Sequence, residues 1–341
     1  MTASAYAAGT ARPHTLDAAG TAVSGLLALP GGGGAPRSTI LAIHGRGMRA
    51  RYWDSFIPLA TALGHAVLAV DRPGYGASAA SLPDGQSLPD QARTLRRALT
   101  EHARTHRLGA GVFLLGHSDG GKVALHTAAI APAVPLLGLD ASGVGYEYHP
   151  QALHFPSTLG GGATRLNWGP LNLYPPGTFQ ASRALLSRVP PRESADTPWW
   201  PRQYEELAPG VRIPVRLTFA EHEGWWRLDA RTLSAMTARL TGSPSVTVEH
   251  LPGSGHNLSL GHTATAYHLR VLAFLEECLL AARRSASPAG GRPTEQHASP
   301  ALEERSRDGR TPMTEGPGGC HDAMSVPMRA ATQAPRRGRS Q

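Results

Sequence analysis

Ser118 sits in "FLLGHSDGG", residues 113–121, where an apolar run ends in glycine and a helix-like pattern begins at once. A Gly-x-Ser-x-Gly pentapeptide alone proves little in a chain with 39 glycines. The setting is more specific, because strand, sharp turn and helix in succession is what lifts a serine hydroxyl clear of a sheet edge. A serine hydroxyl is a poor nucleophile until a base takes its proton, so a histidine must reach it and a third group must orient that histidine. Among sixteen histidines, His256 stands in a strand-end loop, "PGSGHNL", in the last part of the fold. A carboxylate from an earlier strand-end loop is then expected, and "LTFAEHEGWW" offers Glu221 and Glu223.

Elements able to hold these side chains are legible in the apolar patterning. "STILAIHG" (38–45), "HAVLAVD" (65–71), "GVFLLG" (111–116) and "VPLLGLD" (134–140) are apolar on both faces, and helical patterns alternate with them at 51–64, 87–109 and 120–131. Strands buried on both faces and spaced by helices imply a parallel sheet covered on each side. The fold expected is α/β, a doubly wound, mostly parallel sheet. "AVSGLLALP" (22–30), before the "GGGGAPR" turn, suggests a hairpin feeding the strand at 38–45. The alternation returns with a strand in 213–226, a helix near 228–240, a strand in 245–257 and a final helix near 261–283.

Between these parts, 142–210 turns rich in Pro, Gly, Trp and Tyr; a connection of that length with so many aromatics reads as a functional lid. The expected organisation is a flexible 1–13, a core of 14–141 and 211–284, a lid of 142–210 and a disordered 285–341. The last stretch is almost free of large apolar residues and so lacks the burial needed to offset ordering entropy.

Five segments, taken together and in order, resemble the α/β-hydrolase family in its serine esterase and thioesterase branch: "IHGRG" (43–47), "DRPGYGAS" (71–78), "GHSDGG" (116–121), "AEHE" (220–223) and "GSGHN" (253–257). The resemblance implies hydrolysis of a carboxylic ester, thioester or lactone through an acyl-enzyme on Ser118, with His256 as base. It implies that the acid is Glu223, the last carboxylate of the family's Gly-Glu-x-Asp loop, here altered by Ala220 and by glutamate for aspartate. Glu221 stays open, as does Asp140 in "GLDASG", because some relatives carry their acid there. By the same resemblance the oxyanion would be received by the backbone N–H groups of Arg46 and Asp119, with Gly45 and Gly47 letting the backbone approach the substrate. The Arg46 guanidinium could pair with a substrate carboxylate and the Asp119 carboxylate with an amine, while Asp71 and Arg72 would brace the active-site loops. Trp225, with Trp226, Trp199 and Trp200, is expected either to line an apolar pocket or to pack the lid on the core. Epoxide hydrolase and dehalogenase chemistry is disfavoured, since those relatives place aspartate at the elbow. The same scaffold also carries acyltransferases, cyclases, lyases and non-catalytic ligand binders.

Composition narrows the classes further. A formal charge of +8 invites a nucleic-acid reading, but one lysine, Lys122, among 33 basic side chains points to coding bias, and no Arg/Lys stripe interleaved with aromatics is present. No nucleic-acid or membrane partner is expected: no apolar run reaches the roughly 18 residues a spanning helix needs, nor is there a basic, apolar leader. The substrate expected is a small acyl molecule and the location cytoplasmic; an Arg-, Ala- and Gly-rich chain of this kind suits tailoring of a secondary metabolite. The two cysteines, Cys278 and Cys320, form no disulfide framework. No cofactor is implied, and no metal, because the histidines are scattered and no His-Glu-x-x-His or Cys/His cluster occurs. "PGGGGAP" lacks the Lys-Ser/Thr of a phosphate cradle.

Overall fold

The structure, a computed structural model, describes residues 8–131, 133–153 and 161–286. One eight-stranded sheet organises them. Its strands are β1 (Arg12–Asp17), β2 (Ala22–Ala28), β3 (Thr39–Ile43), β4 (Ala66–Val70), β5 (Val112–His117), β6 (Leu136–Ser142), β7 (Val215–His222) and β8 (Val246–Gly255), in the order β1-β2-β4-β3-β5-β6-β7-β8. From β4 through β8 every neighbouring pair is parallel, whereas β1 with β2 and β2 with β4 are antiparallel. The doubly wound, mostly parallel α/β sheet is therefore present. Strands β3, β4 and β5 are buried at every position, which is why they read as unbroken apolar runs rather than alternating ones.

The start of the sheet differs from the sequence expectation. The hairpin is β1 with β2, not β2 with β3; β2 lies against β4, and β3 is inserted on the far side of β4. The "GGGGAPR" segment is thus a crossover. β1 begins at Arg12, inside the stretch read as flexible, and was missed because only Leu16 of its six residues is buried, as suits an edge strand with one wet face.

Helices α1 (Ile57–Ala62), α2 (Leu88–Thr105), α3 (Asp119–Ala129), α4 (Pro150–Leu153), α5 (Gly161–Trp168), α6 (Thr178–Ser182), α7 (Pro191–Asp196), α8 (Trp200–Leu207), α9 (Ala230–Ala238) and α10 (Ala264–Ala286) complete the chain. They leave the sheet with two apolar clusters. One joins α2, α3 and α8 to the sheet through Leu95, Leu125, Tyr204 and Leu217, and the other joins α1 and α10 through Phe56, Ile57, Val271 and Leu275. The helix expected over 51–64 is broken into a 3-10 turn, Ala50–Trp53, and the short α1, with Pro58 at its start. Pro is tolerated there because a first-turn N–H has no intrahelical partner.

Among the described residues between β6 and β7, the α-helices, α4 to α8, are short, none longer than eight residues. Among the contacts that hold them to the core, Trp200 is buried and donates from Nε1 to Gly145 O at 2.8 Å, and Tyr204 donates to Met236 O at 3.0 Å. Of the tail read as disordered, Ser285 and Ala286 close α10 and 287–341 lie outside the described residues, as does Cys320. Cys278 is buried in α10, its Sγ against Gly138 of β6. Among the described residues no helix is long and apolar enough to cross a membrane.

Candidate active site

β5 ends at His117 and α3 begins at Asp119, so Ser118 alone makes the turn, at φ 53° and ψ −125°. A β-carbon in that region costs on the order of 1–3 kcal/mol, and the surrounding packing holds it there. At Gly120 a β-carbon would fall 2.2 Å from Ile43 O, and at Gly116 it would fall 2.5 Å from Gly121 Cα. Only glycine lets α3 press this closely on β3 and β5. The hydroxyl is consequently presented at the carboxyl edge of the sheet, where open α/β folds take their ligands.

β8 ends at Gly255, and the next residue, His256, turns back over that edge with its side chain buried. Its Nε2 lies 3.0 Å from Ser118 Oγ and its Nδ1 2.7 Å from Glu223 Oε2. A carboxylate at Nδ1 fixes the proton there and leaves Nε2 as the acceptor facing the serine. Glu223 stands just past the end of β7, its side chain fully buried, and Oε1 takes the backbone N–H of Trp225 at 3.0 Å.

The other two carboxylates lie elsewhere. Glu221 is exposed and its Oε2 accepts from Gly253 N at 2.6 Å, tying the end of β7 to the end of β8. Asp140 is buried within β6, where Oδ2 takes Arg216 Nε at 2.6 Å and Thr218 Oγ1 at 3.1 Å, and Oδ1 takes the Tyr267 hydroxyl at 3.0 Å. Its acceptor positions are occupied by a permanent cation and two hydroxyls, so it is a sheet brace and not a partner of His256.

Arg46 and Asp119 face each other across the elbow. Neither backbone N–H donates to any acceptor among the described residues, as a pair of oxyanion donors requires. Their side chains differ from the substrate-pairing roles considered above, because they are spent on one another: Arg46 Nε donates to Asp119 Oδ2 at 3.1 Å, and Asp119 Oδ1 pairs with Lys122 Nζ at 2.9 Å. Burial alone would push the Asp119 carboxyl up, but Lys122, Arg46 and Arg72 outweigh it and hold it well below the usual carboxylate range. Lys122 is itself enclosed by the rings of Trp226, Trp200 and Tyr148, at 5.0, 5.3 and 5.5 Å. That spacing gives the buried ammonium a cation–π shell in place of water.

A second buried charge system backs the first. Glu193 of α7 takes Arg72 Nη1 and Nη2, the Tyr75 hydroxyl and Gln91 Nε2, and Arg72 Nε also donates to His44 O. Arg46 Nη2 reaches Thr197 Oγ1 at 2.9 Å. Asp71 accepts from Ala50 N and from Ser24 Oγ. The "DRPGYG" loop thus braces the site, and it does so partly through the segment between β6 and β7. Two further imidazoles, His44 and His117, are fully enclosed and held well below the usual histidine range, His44 by burial and then Arg72, His117 by burial and then its neighbour His256. Both are therefore neutral surroundings for the triad-like trio, and His117 stacks on Tyr52 at 4.9 Å.

Beside Ser118 is a small cleft, partly open to solvent, lined by Gly45, Arg46, Met48, His117, Asn167, His256 and Asn257. Gly45 is among the lining residues, and a β-carbon there would crowd the His117 and Ser118 side chains at 3.1 and 3.2 Å. Trp225 does not line the cavity; its indole Nε1 holds Asn167 Oδ1 at 2.9 Å, and Asn167 is the lining residue. Trp199 is 60% exposed, while Trp200 and Trp226 pack around Lys122. Asn167, Asn257, Met48 and Glu193 went unnoticed in the sequence. Nothing short-range marks them, except that Asn257 follows His256 directly.

A strand-end serine on a glycine-packed turn, met by a histidine and a buried acid from the last two strand loops, defines a hydrolase-type α/β scaffold. The sequence model of the alpha/beta hydrolase family matches residues 40–312, and the chain belongs to that family. Esterase Rv0045c of Mycobacterium tuberculosis is 41% identical over 106 residues, 31% of this chain and 32% of that protein, so the match spans about a third of its length. The provisionally named carbamate hydrolase RutD of Cronobacter turicensis is 30% identical over 215 residues, 56% of this chain and 74% of that one. Among solved structures, a thermostable carboxyl esterase from Bacillus coagulans superposes with a TM-score of 0.57 at 17% identity, covering 80% of this chain and 99% of that one. The peroxisomal α/β-hydrolase Lpx1 of Saccharomyces cerevisiae gives 0.58 at 14% identity, covering 84% and 92%.

Proposed function

We propose that the protein is a serine hydrolase that cleaves small carboxylic esters through an acyl-enzyme on Ser118. The observation that carries this reading is the single imidazole of His256 standing between Ser118 Oγ and Glu223 Oε2 at 3.0 and 2.7 Å. His256 Nε2 takes the serine proton as Oγ attacks the carbonyl carbon, and Glu223 stabilises the imidazolium so formed. The tetrahedral oxygen is received by the N–H groups of Arg46 and Asp119, whose side-chain ion pair keeps the two loops in register. Nε2 then gives its proton to the departing alkoxide, leaving the acyl-serine. A water molecule repeats the sequence with His256 as base and releases the acid.

The cavity suggests the size of the acyl group. The cleft beside Ser118 is small and partly open to solvent, which favours acyl chains of a few carbons over long ones. The esterase and hydrolase names of the relatives agree with ester cleavage as the reaction class. The segment between β6 and β7 supplies Asn167 to the cavity wall and Thr197 to Arg46, in keeping with a lid that covers the site.

Hydrolysis of 4-nitrophenyl esters from acetyl to decanoyl tests the reading. The expected result is a kcat/KM that peaks at two to four carbons and vanishes in Ser118→Ala. Undiminished turnover in that variant would overturn the mechanism; a folded wild type inert to every ester, with or without an acceptor alcohol, would favour a ligand-binding role.

A further inference from the structure

At the edge strand of the sheet, four strands away from the one that leads to the serine, three imidazoles separated by up to 92 positions converge. His14 is on the edge strand β1, His102 is in the last turn of α2, and His106 follows that helix directly. One nitrogen from each ring lies within 4.8 Å of the others. His102 and His106 stack at 4.1 Å between centroids, and His14 meets both edge-on at 5.3 and 5.4 Å. We infer that His14, His102 and His106 bind a divalent transition-metal cation, Zn²⁺ being the type, which clips the β1–β2 hairpin to the end of α2.

The chemistry of the cluster supports a Lewis acid over any other occupant. Among the described residues no carboxylate pairs with any of the three rings, and neither His14 nor His102 makes a side-chain hydrogen bond, although His102 is only 6% exposed. His106 is bonded at Nδ1 by Thr105 Oγ1 at 2.9 Å, which leaves Nε2 free to ligate; such a second contact is what a ligating imidazole ordinarily has. Burial, then the neighbouring imidazoles, holds His102 down to about 4, and burial with His106 lowers His14. Spacing agrees too: residues at i and i+4 share one helix face, and a tetrahedral site with Zn–N of 2.0–2.1 Å needs its nitrogens roughly 3.3 Å apart, a contraction that side-chain rotation can supply. The cluster also stands at a helix carboxyl end, where the macrodipole favours a cation. Three imidazoles leave a fourth position for water. The scattered spacing that argued against a metal in the sequence is thus closed by the fold, with α2 packed along β1.

Full-length protein stripped with a chelator and titrated with Zn²⁺ alone, then Co²⁺ alone, tests the site by calorimetry, by the visible spectrum of bound Co²⁺ and by thermal unfolding. Wild type is expected to bind one Zn²⁺, give the intense absorption of four-coordinate Co²⁺ and melt at a higher temperature when loaded. His14→Asn and His106→Gln are each expected to weaken binding by at least about tenfold, as loss of even supporting contacts does at such sites, and to abolish the metal-dependent rise in Tm. His256→Gln, which removes the imidazole beside Ser118, is expected to bind as wild type. Metal-free Tm values of the two cluster variants near that of wild type would show that they fold. Unchanged Zn²⁺ affinity in the His14→Asn, His106→Gln double variant, loss of binding in His256→Gln, or no binding at all by the wild type would each overturn the site.

Discussion

Two glutamates with fully buried side chains, Glu223 and Glu193, are held in opposite ways. Glu223 meets an imidazole, a group that gains and loses a proton, and one backbone N–H. Glu193 meets a guanidinium that never deprotonates, a tyrosine hydroxyl and a glutamine amide, so every acceptor position is filled by a permanent donor. The first arrangement can respond to charge developing at Ser118. The second cannot, and its effect is mechanical: it ties α7 to the loop that follows β4, and through Arg72 to the carbonyl of His44, two residues before Arg46. Burial of a carboxylate therefore says little about its role until the titration behaviour of its partner is known.

Substitution should separate the two. Glu223→Gln is expected to lower kcat by roughly 10³–10⁴, the scale seen when the orienting acid of a serine triad is neutralised, while the urea midpoint barely moves; parallel kinetics and denaturation read both. Glu193→Gln is expected to do the reverse, costing about 3–5 kcal/mol because Arg72 is left as a buried charge without its partner, with a smaller loss of kcat under conditions where the protein stays folded. If both variants lost activity and stability equally, the distinction drawn here would fail.

Acid provides a third separation. His65, His102, His126 and His268 are each lowered to about 4, mainly by burial, so the unfolded chain binds protons at these positions before the native one does. Stability is then full above the ordinary histidine value near 6.5 and falls as pH drops from about 6.5 toward 4. Tm measured across that interval should decline steadily, and a flat profile would contradict the burial of these rings. The smallest effect belongs to Trp225→Phe, which removes one hydrogen bond to Asn167 worth about 1 kcal/mol. It is expected to raise KM a few-fold and leave kcat nearly unchanged, as steady-state kinetics would show.

What could be read in the sequence follows the same division. Ser118, His256 and Glu223 stand at strand ends, and strand ends are marked by apolar runs stopping at glycine or polar residues, so the three could be named and the sheet drawn from local pattern. Choosing Glu223 over Glu221 and Asp140 needed the resemblance and then the geometry: Asp140 also stands near a strand end, and nothing local announces that Arg216, one strand over, would claim it. Pairing of Arg46 with Asp119, 73 positions apart, was invisible for the same reason. The first hairpin was misplaced because an edge strand such as β1 has too few buried residues to leave a period. Glu193 and Asn167 lie among short helices whose places are set by tertiary contacts, and the three clustered histidines join a strand to a helix. Such convergences are properties of the fold alone.

The central claim, that Ser118 is made nucleophilic by His256 and Glu223, is tested most directly by treating the folded protein with a fluorophosphonate and measuring intact mass followed by peptide mapping. The expected result is a single adduct on the peptide carrying Ser118, absent in Ser118→Ala and strongly slowed in His256→Gln. A folded wild type that stays unlabelled, or an adduct mapped to another residue, would contradict it.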